Sequence, residues 1–161
     1  MNLKKTAVIL TSIVTVLIAQ NVLAGSGALK LIKSKTTIQQ VISATQKAKL
    51  THISSIEFDD GYWQIKTLKN KIETKYIFDS KTSKITKLGT EHENDMPPPK
   101  TIDTIQKAIK TLIKKHPKYI IKSISYESSL WEISAYDETI MENEISLNKN
   151  GSKVLFTKID D

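Results

Sequence analysis

Residues with a capacity for chemistry are thinly spread along this sequence. Glu91-His92-Glu93 and Asp95 bring one imidazole and three carboxylates close together, ligand types that suit a divalent cation. Alternating side chains of an extended segment point apart, however, and no second ligand pair stands at helical or strand spacing, so no metal site and no cofactor is expected. His52 and His116 fall near matching helix ends, where a partly charged imidazole suits the helix dipole. Serines and acids are plentiful, yet there is no Gly-x-Ser-x-Gly elbow, no His-Glu-x-x-His helix and no glycine loop to cradle a phosphate. Asp59 and Asp60 would point apart as neighbours in a turn. With no cysteine, thiol catalysis, disulfides and cysteine zinc sites are excluded. No catalytic constellation is present, so no enzyme is expected; one reading of the acids around His92 is a small-ligand or metal-binding periplasmic protein.

Candidate binding residues come from strand alternation. Trp63, Ile65 and Thr67 share one face of a strand, and both tryptophans, Trp63 and Trp131, read as core. Tyr62, Leu68 and Leu130 fall on the opposite face, as does Tyr136 on its own strand, with Glu132 beside it. A sheet covered by a single helix layer leaves that face to solvent, and exposed aromatics there are protein-binding anchors. These five residues are the expected partner-binding set; packing between the two halves of the chain is the competing use of the same side chains. Glu127, Glu132, Asp137, Glu138, Glu142 and Glu144 crowd the last part of the chain and would suit a cationic partner.

The elements that must position these residues follow from composition and periodicity. The sequence of 161 residues opens with a basic Lys4-Lys5, an apolar run from Ala7 to Ala19, and Val22-Leu23-Ala24. This is the pattern of a cleavable signal peptide, residues 1–24, with a run shorter than the roughly 20 residues that span a bilayer. A periplasmic or secreted protein without a stable membrane anchor is expected. The formal net charge is +7, carried entirely by lysine. Nucleic-acid sites lean on arginine for paired contacts to phosphate and guanine, so no nucleic acid is expected as a partner.

Residues 25–35 read as a flexible start. Ile38, Val41, Ile42 and Thr45 then fall on one helical face behind Thr36 or Thr37 as cap. From Ile53 the period changes to two, with turns at Asp59-Asp60-Gly61 and Lys69-Asn70-Lys71. Glu91 to Lys100 breaks both periods with Pro97-Pro98-Pro99 and reads as a spacer. A second helix carries Ile102, Ile105, Ile109, Leu112 and Ile113 on one stripe, and a second set of strands follows. Thr37-Ile38-Gln39 and Thr104-Ile105-Gln106, and the two tryptophans, lie at nearly the same offset. The expected fold is α+β: two tandem repeats, 36–90 and 101–161, each one helix packed on a four-stranded antiparallel meander. Units this small would share a core or a continuous sheet.

Gly61-Tyr62-Trp63-Gln64-Ile65 and Asp79-Ser80-Lys81-Thr82-Ser83-Lys84-Ile85 resemble the PepSY domain pattern of an acidic-Gly turn, an aromatic-x-aliphatic strand and a closing Asp-x-x-Thr-Gly-Lys-aliphatic hairpin. Ser83 stands where that pattern has Gly. The second copy departs further, with Asn148 for Asp, Gly151-Ser152 in a longer turn and Glu127-Ser128-Ser129 for the acidic-Gly turn. The resemblance implies an exported protein that restrains a peptidase or another envelope enzyme. In organisation it is also similar to the beta-lactamase inhibitory protein, where two helix-plus-sheet units present a concave binding surface.

Overall fold

The computed structural model describes residues 27–100 and 102–159; residues 1–24, expected as a signal peptide, lie outside them. Period-two alternation builds eight strands: β1 (Ile53–Asp59), β2 (Tyr62–Lys69), β3 (Ile72–Asp79), β4 (Lys84–His92), β5 (Ile120–Glu127), β6 (Leu130–Tyr136), β7 (Glu142–Leu147) and β8 (Val154–Ile159). Two-residue turns join β1 to β2 at Asp60-Gly61, β2 to β3 at Asn70-Lys71 and β5 to β6 at Ser128-Ser129. Both central residues of each have positive φ, the backbone twist that matches the flanking strands.

The strands form one sheet in the order β4-β3-β2-β1-β5-β6-β7-β8, every neighbour antiparallel. This corrects the expectation of two tandem repeats, each one helix packed on a four-stranded antiparallel meander. Strand outweighs helix among the described residues, and the two halves meet along β1 and β5, with Ser55 opposite Ser125, Ile56 opposite Ile124 and Glu57 opposite Ser123. The reason is physical. Two separate meanders would each leave β1 or β5 with a row of unpaired N–H and C=O groups. Pairing those edges satisfies both and puts Ile56 and Ile124, each 0% exposed, into one core.

Three helices cover one face. Residues 27–34 form α1, followed by α2 (Ile38–Lys47) and α3 (Asp103–Lys115). The α1 helix corrects the flexible reading of 25–35: Ala28 and Leu31, three residues apart, are both buried in the core. Lys35, at φ 54°, breaks the chain before α2, where Gln40 Oε1 accepts the Thr37 N–H at 2.8 Å. Ile105, Ala108, Ile109 and Leu112 bury the inner face of α3. Beneath the helices, Phe58 meets Trp63 edge-on at 5.4 Å and Tyr126 meets Trp131 at 5.0 Å. The Trp131 indole N–H donates to the Lys149 carbonyl at 3.0 Å, whereas the buried Trp63 N–H meets no acceptor among the described residues.

The two closing turns differ in how they are held. Asp79 accepts from the Lys81 N–H at 2.8 Å and the Thr82 hydroxyl at 2.7 Å, contacts that hold its carboxyl below the usual range. Ser83, at φ 53°, takes the left-handed conformation of this turn. Replacing it by glycine removes a left-handed penalty of about 1–2 kcal/mol against a chain-entropy cost of about 0.5–1 kcal/mol. Ser83→Gly is therefore expected to raise the urea midpoint by a modest amount, equivalent to about 0.5 kcal/mol. A lowered midpoint would contradict this account of the turn. The β7–β8 turn is seated instead on α3, where the Thr111 hydroxyl donates to the Gly151 carbonyl at 2.9 Å.

The segment expected as a spacer from 91 to 100 starts later. Glu91 and His92 belong to β4, because β3 is long enough to pair His92 with Ile72. The chain then ties itself down: the Glu93 N–H donates to the Lys71 carbonyl at 2.9 Å, the His52 N–H to the Lys100 carbonyl at 3.2 Å, and Pro98 is buried.

Candidate functional site

The helices leave the second face of the sheet uncovered, and alternation decides what that face displays. Wherever β1, β5, β6 and β7 send an isoleucine, tryptophan or leucine into the core, the neighbouring position turns outward. Those positions are Ser55 and Glu57, Ser123, Ser125 and Glu127, Glu132 and Ser134, and Glu144 and Ser146. Register sets serine against serine or against glutamate across the middle of the sheet. Ser125 lies opposite Ser55 and Glu132, Ser134 opposite Ser123 and Glu144, and Ser146 opposite Glu132. The result is a shallow groove of hydroxyls and carboxylates. Its central part encloses about 320 Å³ and reaches Phe156 on β8. It continues past Ser55, Lys66, Ser125 and Glu127 into a second part of about 460 Å³, walled by Asn94, Asp95 and Met96 of the inter-half segment.

Charges in and beside the groove fall into two kinds. At one end Glu73 is 7% exposed, and burial pushes its carboxyl above the usual range against the pull of Lys66 at 3.7 Å and Lys75 at 3.8 Å. Its Oε1 accepts no hydrogen bond among the described residues. Lys75 also contacts Glu91 at 2.6 Å, which holds that carboxyl down. At the far end Lys122 pairs with Glu142 at 2.9 Å, and the Ser134 hydroxyl donates to the same carboxylate. Burial works against the Lys122 charge, but Glu142 outweighs it and leaves the ammonium more basic than usual. Between these ends lies Glu132, whose carboxyl is raised by burial and then by Glu127 and Glu144. No histidine lines either part. The groups on display can hold polar and charged partners by hydrogen bonds and charge.

The five expected binding residues do not form one patch. Because β1 and β5 run antiparallel, the β1–β2 and β5–β6 turns lie at opposite ends of the sheet, and Tyr62 is separated from Leu130 by its length. Tyr62 is 39% exposed, and Leu130 and Glu132 are half-buried. Leu68 and Tyr136 are corrected as exposed anchors, at 2% and 3% exposure. Leu68 lies opposite Glu73, at the end where Glu93 to Lys100 is tied across the strands. Tyr136 is covered by the start of α1, since a Cβ placed on Gly27 would come within 3.0 Å of its hydroxyl. Burial, followed by Glu142, raises its phenol. Of the five, Glu132 alone lines the groove.

Neither a family model nor a curated protein matches this chain. Two solved structures are similar to it. A "putative lipoprotein" from Clostridium difficile 630 aligns at 18% identity and a TM-score of 0.43, covering 72% of this chain and 87% of its own. A "putative periplasmic" protein from Bacteroides eggerthii DSM 20697 aligns at 11% identity and a TM-score of 0.30, covering 77% and 89%.

The groove serines are the residues that the sequence reading missed. Their signal is present in Ser123-Ile124-Ser125, Ile133-Ser134-Ala135 and Ile145-Ser146-Leu147, where serine alternates with core positions on three strands. Serine carries no motif by itself. It gains meaning here only when register lays the three strands side by side.

Proposed function

We propose that this chain is an exported, non-catalytic binding protein that docks a protein partner on the open face of its sheet and restrains it, the partner being an envelope or secreted enzyme such as a peptidase. The observation that carries the reading is the uncovered groove: a face of a large sheet, polar and half-buried, bounded by an inter-half segment on one side and an exposed aromatic on the other. Faces of this size with adaptable hydroxyls suit a protein surface, and fixed strands hold them in place at little entropic cost. The leader pattern supports export, and the PepSY-like motifs around Trp63 and Asp79 support restraint of an enzyme.

The test is capture from envelope extract on immobilised residues 25–161, competed by free protein, followed by assay of the retained enzyme. One specifically retained enzyme, slowed by added protein, is expected. Ser125→Arg places a long cation in the middle of the groove at a half-buried position, and is expected to weaken that binding at least about tenfold, roughly 1.4 kcal/mol. Binding to the enzyme that ignores Ser125→Arg, with the fold unchanged by circular dichroism, would remove this face as the docking surface.

A further inference from the structure

The acids in the middle of the groove are set apart from its lysines. Glu132 stands opposite Ser125 on one side and Ser146 on the other, so Glu127 and Glu144 are its diagonal neighbours. On an antiparallel sheet that places them about 7–8 Å away. Glu127 and Glu132 form no ion pair among the described residues, while Lys66 is taken by Glu73 and Lys122 by Glu142. Lys158, opposite Glu144 on the edge strand, is the one lysine in register with the cluster. The sequence carries a formal net charge of +7, and these acids are set against that overall sign.

Two further features at the same place point to a ligand. Ser146 lines the groove, is 3% exposed, and its hydroxyl makes no hydrogen bond within the described residues. Phe156, directly across from Ser146 in register, is 55% exposed beside the acids. A metal ion does not suit this spacing. It needs several oxygens within about 2.0–2.6 Å, and no group of His, Asp or Glu among the described residues converges in that way. A guanidinium is wide enough to reach carboxylates on either side, donates in several directions, and stacks on an aromatic ring.

We propose that Glu127, Glu132, Glu144, Ser146 and Phe156 form a subsite for an arginine side chain presented by the protein partner. The inference rests on the docking reading and narrows it to a partner that carries an exposed arginine on the segment entering the groove. The carboxylates accept the guanidinium N–H groups, the Ser146 hydroxyl accepts another or bonds the arriving backbone, and Phe156 covers the guanidinium plane from the rim.

The probe is N-acetyl-arginine amide, titrated into the ¹⁵N-labelled protein, with the uncharged N-acetyl-citrulline amide as its shape control. The arginine compound is expected to shift the amides around Glu132, Glu144, Ser146 and Phe156 with millimolar saturation, the citrulline compound to leave them in place, and Glu132→Gln to weaken the effect about tenfold. Equal shifts from both compounds, or arginine shifts confined to other surfaces, would overturn the subsite. Capture separates this from the wider reading. An enzyme retained equally by wild type and Glu132→Gln sinks the arginine subsite and leaves docking intact. No enzyme retained by wild type sinks docking, while arginine-specific shifts at Glu132 would still stand.

Discussion

Protein carrying Gly151→Val is expected to lose at least about 3 kcal/mol of stability and to melt roughly 10 °C lower or more. Two costs add at this position. The backbone at φ 63° lies in the left-handed region, which a β-branched residue adopts only with strain. A Cβ would also stand 2.6 Å from the Thr104 carbonyl and 2.8 Å from the Ala108 nitrogen, both backbone atoms of the α3 region that cannot swing aside. The β7–β8 turn would have to lift off α3, losing the Thr111 hydroxyl bond to the Gly151 carbonyl and the Lys149 carbonyl that holds the Trp131 indole. Thermal unfolding followed by near-ultraviolet circular dichroism measures the loss. Gly151→Ala, which meets the same atoms with a smaller group, should fall between wild type and Gly151→Val. A wild-type melting temperature for either variant would mean that the turn is not seated on the helix.

Ile124→Asp is expected to unfold both halves of the molecule together. Ile124 is fully buried on the β1–β5 seam, opposite Ile56, and a carboxylate there has neither water nor a partner. A cost of more than about 4 kcal/mol would consume a large part of the roughly 5–15 kcal/mol that ordinary domains have. The protein carries its own reporters, since Trp63 lies in β2 on one side of the seam and Trp131 in β6 on the other. Trp63→Phe and Trp131→Phe each leave a single fluorophore. Their urea transitions should coincide within each background and collapse together once Ile124→Asp is added. A native Trp63 signal persisting while Trp131 is lost would show that the halves fold independently.

Local structure was legible in the sequence wherever one residue type forces one conformation. The stripes of Ile38, Val41 and Ile42 and of Ile105, Ile109 and Leu112 are the buried faces of α2 and α3. Asp60-Gly61 and Asn70-Lys71 turn where their chemistry requires it. What could not be read was which strands meet across long stretches of chain. The expectation of tandem repeats, each one helix on a four-stranded meander, failed there, because the β1–β5 pairing depends on two edges coming together and leaves no local trace. The binding residues suffered for the same reason. Leu68 and Tyr136 face outward by alternation, yet an inter-half segment and α1 cover them, and α1 itself was hidden by its glycine-rich start. Glu132 lines the groove because its position depends on strand alternation alone.

The seam also sets the order in which this molecule can be made. As the chain emerges, β1 pairs with β2 at once through a two-residue turn, but its other edge waits until about 70 residues later, when β5 exists. During that interval the first half presents an open, isoleucine-bearing strand edge, the kind of template on which strands of other chains can add. A protein built this way gains from being kept extended until all of it is available. Under the proposed export, translocation in an unfolded state would supply that delay. Slow closure of the β1–β5 pair should then limit the refolding rate, and crowding at that step should divert chains into aggregates rather than into a stable half-molecule.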